Sequence, residues 1–224
     1  MLETILVVKD ALPYILQGAV VTVGIVLGAM GLGLTLGVPV AVIQVYAPRG
    51  LRLLAGMYVW LFRGIPVLVL LFLFYFGLFS LMGLNISAFL ASVIVLGLRG
   101  VAYQSQIFRG AILSLPQGQM KAARALGMSD VQAIKDIILP QALRLSIPGW
   151  SNENSIVLKD SAIAFVLGTS EIMARTHFVA SRTYEHLALY ITAGAVFFVL
   201  TTLGVRCLRA LENRVSLPGY TTHS

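Results

Sequence analysis

The sequence predicts an all-α integral membrane protein with five transmembrane helices and one organised polar loop. Three observations carry this expectation. Hydrophobic residues make up 58% of the 224 positions and charged residues only 11%, an unusual balance for a soluble core. Uncharged runs cover Ala11–Pro48, Gly64–Leu98 and Leu187–Val205, each long enough to cross a bilayer. Between such runs stands a polar stretch, KAARALGMSDVQAIKDIILP at 121–140. A chain of this length reads as a single membrane domain, 1–224.

Taken in order, the first span lies within Gly18–Tyr46, after a short amphipathic segment with Lys9 and Asp10. That window exceeds the ~20 residues a bilayer requires, so the helix tilts or protrudes. Gly24/Gly28 and Gly33/Gly37 recur at four-residue spacing, which allows close helix contact in lipid. Pro48-Arg49-Gly50 ends this span. The second runs over about Leu54–Leu81, Gly83–Asn85 makes a tight turn, and the third runs over about Ser87–Leu113. After the loop, at about 117–140, a more polar fourth span covers Ala142–Leu167, with Pro148-Gly149 placed to break it. An outer segment, Gly168–Glu185, leads to a fifth span ending near Leu208.

The net charge of +7 is a topology signal and no sign of nucleic-acid binding, because the cations cluster in short segments beside apolar spans. Arg49, Arg52, Lys121, Arg124, Lys135, Arg144, Arg206, Arg209 and Arg214 fall on one side, and Lys9, Arg175 and Arg182 on the other. This asymmetry puts the loop and the C-terminus in the cytoplasm and the N-terminus outside. The chain start lacks the basic region of a cleavable leader, so the first helix is expected to stay. A lone Cys207 excludes an internal disulfide, and scattered His177, His186 and His223 make no metal motif. There is no GxxxxGK[ST] phosphate loop and no nucleophile–base set, so the chain is expected to be no enzyme and to hold no cofactor.

Local chemistry shapes the loop. Gln117–Leu126 is a good helix former, and Gly127 suits the positive φ that ends a helix. Ser129 followed by Gln132 reads as a capping box opening a second short helix, and Pro140 separates it from the next span. Ala122 and Ala123 leave little bulk on one face, while Leu126, Met128 and Val131 offer apolar anchors to a partner groove.

The spacing Ala122-Ala123, Gly127, Ile137, Leu139-Pro140 resembles the EAA loop of importer-type ABC permeases. Arg63-Gly64-Ile65-Pro66, Tyr103 to Gly110, Leu115 to Gln119, Leu139 to Arg144 and Leu158 to Ala162 are similar to the polar amino-acid subfamily. Lys121 and Gln106 depart from it, each standing where that family usually carries glutamate. The resemblance implies the ABC importer type I permease fold, in a prokaryotic inner membrane. It also implies a second permease subunit, identical or not, and an extracytoplasmic solute-binding protein. A nucleotide-binding ATPase subunit that holds ATP and Mg would dock on Lys121, Ala122, Ala123, Leu126, Gly127, Met128, Ile137 and Pro140. The substrate would be an amino acid, basic or polar, with cystine or a quaternary amine as the nearest alternative. A secondary transporter or channel is the competing class, disfavoured by the odd span count and the absence of an internal repeat.

Ionisable residues at membrane depth mark candidate sites. Arg99 lies about twelve residues into the third span, or ~18 Å at the helical rise, and Glu153 lies a similar distance past Pro140. Tyr103 and Gln106 follow Arg99 on the same helix face. The expected substrate site has Arg99 on a carboxylate, Glu153 on a cationic group, and Asn154, Gln104 and Tyr103 as neutral partners. The competing reading is an Arg99–Glu153 ion pair fastening two helices, with Lys159–Asp160 as a local pair. Arg63 is expected to serve structure or gating.

Overall fold

A computed structural model describes residues 2–215, and these are helical apart from short turns. Helix α1 runs unbroken over Leu2–Tyr46, carrying Pro13 and Pro39 inside it. The amphipathic segment expected to precede the first span is therefore the N-terminal end of the same helix. The glycine face of α1 meets α4 (Ala88–Ser114), as the small-residue spacing predicts. A Cβ at Gly33 would lie 2.0 Å from Gln104 Nε2, so any side chain there would displace that amide.

The second span is the largest departure from expectation. It breaks into α2 (Arg49–Gly64) and α3 (Val67–Phe79), which meet at 106°. Pro66 explains the break, because it forces the preceding Ile65 into extended backbone, at ψ 132°. The last turns of α3, Leu73–Phe79, widen into a π-helix. Phe62, Phe74 and Phe79 pack into the core with Leu70 and Leu71, while Phe72 and Phe76 face outward.

Helix α4 starts at an N-cap where Ser87 Oγ accepts from Leu90 N at 3.3 Å. The loop follows as α5 (Gly118–Ala125) and α6 (Asp130–Ala133). Pro140 does not separate the loop from the next span. The chain passes from α6 through a π-helical turn, Ile134–Ile138, straight into α7 (Leu139–Asp160). Pro140 sits at the junction of that π-helical turn with α7, inside a continuous helix. Pro148 likewise fails to break α7, and Gly149 packs closely on Ile107 of α4. A 3-10 turn, Ser161–Leu167, leads to α8 (Ile172–Thr183) and then α9 (His186–Val215). Glu171 caps α8, its buried carboxylate accepting from Met173 N at 2.8 Å and Ala174 N at 2.7 Å.

Among the described residues, three helices (α1, α4 and α9) are long and apolar enough to cross a membrane, and the bent α2–α3 pair, counted as one span, brings the number to four. Helix α7, expected as one of five spans, falls short of that apolarity because it carries the polar residues of the candidate site.

Candidate functional site

Three helices bring charge together inside the bundle. Helix α4 presents Arg99 and Tyr103 one turn apart, and α7 presents Glu153 and Asp160 two turns apart on one face. Arg63 reaches in from the end of α2, just before the Pro66 bend. Arg99 Nη1 donates to Asp160 Oδ2 at 2.7 Å, with the two side chains only 14% and 24% exposed. The Arg63 and Arg99 guanidiniums lie over the Tyr103 ring, 5.0 and 4.5 Å from its centroid. Such stacking stabilises a guanidinium most where it is withdrawn from water, as that of Arg99 is.

Glu153 lies beside this cluster, with Arg99, Asp160 and Arg63 as the charges acting on it. It is 3% exposed, and its Oε1 is the one buried side-chain oxygen or nitrogen among the described residues that lacks a hydrogen-bond partner. A buried carboxylate oxygen without a donor is costly, and a donor supplied by a ligand removes that cost.

The geometry corrects several sequence expectations. Arg99 pairs with Asp160 and not with Glu153, because the continuous α7 carries Asp160 alongside Arg99. Lys159 makes no ion pair with Asp160; it lines a groove with Tyr190 and Phe197. Gln104 is fully buried away from the cluster, donating to Met30 Sδ at 3.4 Å and accepting from Trp150 Nε1 at 2.7 Å. Its amide is spent on helix packing, one residue round from Tyr103. Asn154 points at α9, where a Cβ on Gly204 would meet its Oδ1 at 3.1 Å. Gln106 donates to Gln44 Oε1 at 2.8 Å, joining α4 to α1. Of the expected substrate residues, Arg99, Tyr103 and Glu153 come together. Asp160, expected only as a local partner of Lys159, joins them, and its seven-residue spacing from Glu153 puts both on one face.

The loop keeps its expected chemistry. Gly127 has φ +82°, and Ser129 and Gln132 close both bonds of the capping box. Arg124 Nε donates to Asp130 Oδ1 at 2.7 Å, clamping α5 to α6 across the glycine turn. The Asp130 carboxyl is held below its ordinary range by that hydrogen bond. Gln119 and Gln141 exchange amide bonds of 2.9 Å, fastening α5 to α7. Lys121, Ala122, Leu126, Val131 and Pro140 are exposed, and Met128 is half-buried. Ala123 is buried, and its carbonyl accepts from Met128 N at 3.1 Å. Ile137 also turns inward, toward Ala142 and Ile138.

Relatives share this architecture. The arginine transport system permease protein ArtQ of Bacillus subtilis is 35% identical over 204 residues, covering 91% of this chain and 93% of its own. The octopine transport system permease protein OccQ of Rhizobium meliloti is 34% identical, covering 89% of each chain. A crystal structure of an amino acid ABC transporter with histidines superposes with a TM-score of 0.83 at 32% identity, covering 93% of this chain and 97% of that one. The methionine ABC transporter MetNI, at 19% identity and a TM-score of 0.80, shares the fold, with 91% and 97% of the two chains covered. Residues 33–217 match the binding-protein-dependent transport system inner membrane component, and the chain belongs to that family of ABC importer permeases.

Proposed function

We propose that this permease passes amino acids with basic or polar side chains, such as arginine, lysine, histidine or glutamine, through a site formed by Glu153, Arg99, Tyr103 and Arg63. The observation that carries this reading is the buried, unpartnered Glu153 Oε1 beside the Arg99–Asp160 pair. Glu153 takes a ligand ammonium or guanidinium. Arg63, which is exposed and held only by the Tyr103 ring, supplies a carboxylate contact that Arg99 cannot give in full while bonded to Asp160. Two like-charged guanidiniums on one ring and two carboxylates opposite suit a zwitterion.

The loop docks an ATPase subunit through Lys121, Ala122, Leu126, Gly127 and Met128, with Val131 beside them. That subunit holds ATP and Mg; a second permease completes the pathway, and a solute-binding protein delivers substrate from outside. Closure of the ATPases moves the loops and opens the pathway outward. The loop and C-terminus lie in the cytoplasm and the N-terminus outside, a reading supported by the cation asymmetry. Helix α7 serves as a fifth span, shielded from lipid by its neighbours.

The test is substrate-stimulated ATPase activity of the complex in proteoliposomes with its binding protein. Glu153→Gln is expected to raise the half-maximal amino-acid concentration about ten- to hundredfold, the cost of one charged hydrogen bond. Stimulation identical to wild type would remove Glu153 from the site. Absence of any associated ATPase would overturn the importer reading.

A further inference from the structure

At the loop end of the bundle, a groove of about 380 Å³ opens between Leu34 of α1, Phe108 of α4, Leu143 and Ile147 of α7, and Leu211 of α9. Its accessible wall is apolar: Arg144 lends only its aliphatic stem, and the Ser146 hydroxyl is already spent on the Leu143 carbonyl at 2.7 Å. Arg144 is exposed, and its guanidinium lies beyond that apolar wall. Among the described residues Arg144 joins no ion pair, nor do Arg206, Arg209 and Arg214 on the last turns of α9 at the same end. Most of α9 is left uncovered by the rest of the chain, so the groove opens on a face that this chain leaves free.

We infer that this groove binds an anionic phospholipid, with one acyl chain between α7 and α9 and the phosphate on Arg144. Charge complementarity selects the occupant: an apolar trough with an unpaired guanidinium at its mouth and further arginines beside it suits an anionic headgroup. A zwitterionic lipid brings an ammonium that these arginines repel. The site is separate from the charged cluster and does not depend on which solute is carried.

The chain's two tryptophans make the test direct. Trp150 lines the groove, and Trp60 is 77% exposed elsewhere. The transporter complex carrying Trp60→Phe is placed in phosphatidylcholine vesicles with a minor fraction of either brominated phosphatidylglycerol or brominated phosphatidylcholine. Subtracting the signal of the Trp60→Phe/Trp150→Phe complex isolates Trp150. Phosphatidylglycerol is expected to quench as though enriched about fivefold at the groove, the weight of one arginine contact. Arg144→Gln abolishes this preference and Arg144→Lys keeps most of it. Equal quenching by both lipids, or a preference that survives Arg144→Gln, would overturn the site. So would protection of Trp150 from both lipids, which would mean that residues 216–224 or a second subunit fills the groove.

Discussion

Arg99–Asp160 and Arg124–Asp130 are closed by contacts of the same length, 2.7 Å, yet they do different work. The first joins two helices of the bundle, with its side chains 14% and 24% exposed; the second joins two loop helices, with its side chains 59% and 58% exposed. In water, a pair gains little Coulomb energy and spends side-chain entropy on its geometry. Out of water, each ion has lost its hydration and neither can be removed alone without stranding the other. Bond length is therefore a poor guide to energetic weight here, and burial a good one. The loop pair sets an angle between helices, and the bundle pair holds two helices in one register.

The sharpest way to break the comparison is to remove one partner of each pair. Asp160→Asn leaves Arg99 without its carboxylate and is expected to cost about 3–5 kcal/mol, read as a large drop in the unfolding midpoint of the detergent-solubilised complex. Replacing both partners with leucine or methionine recovers most of that stability while abolishing transport. A double variant as unstable as the single one would show that the pair itself, and not the stranded charge, supports the fold.

Glu171 sharpens the comparison from another side, as a buried acid with backbone donors and no cation among its partners. Burial pushes its carboxyl up to about 7, against the opposing pull of the Met173 and Ala174 amides. Between its ordinary value and about 7, the folded protein holds a proton that the unfolded chain releases. Its contribution to stability is thus complete at low pH and falls as pH rises through about 7. The unfolding midpoint should decline between about pH 5 and pH 8, and Glu171→Gln should flatten that decline. An unchanged slope in the variant would mean that another group titrates there.

The smallest effect belongs to the exposed pair. Asp130→Asn is expected to leave the unfolding midpoint at neutral pH within measurement scatter. Because its carboxyl is depressed, whatever it contributes is present above the ordinary carboxylate value and fades as pH falls below it. A midpoint shift as large as that of Asp160→Asn would end the distinction between the two regions.

The sequence made the loop far more legible than the bundle. Gly127, Ser129 and Gln132 act within one or two turns of chain, so local rules specify their geometry. The Arg99–Asp160 pair spans 61 residues and depends on α7 running straight through two prolines. Proline signals misled in both directions. Pro140 and Pro148 read as breaks and interrupt nothing, whereas the break at Pro66 falls inside what reads as one apolar span. Helix packing settles such cases, and Gly149 against Ile107 shows how tightly α7 is held against α4. Gln104 was misread for a related reason. Hydropathy gives its depth, but only the three-dimensional approach of Gly33, Met30 and Trp150 shows that its amide is already occupied.

The widened turn at Ile134–Ile138 fixes a matter of phase. A π-helical turn accommodates about one residue more than an α-helical turn, and one residue corresponds to about 100° of rotation about the axis. The azimuth of Glu153 is therefore set, relative to the Ser129 cap, by a single residue of slack. Removing one residue there and restoring α geometry would swing that carboxylate about a quarter-turn off the α4 face, without altering any amino acid that lines the pathway.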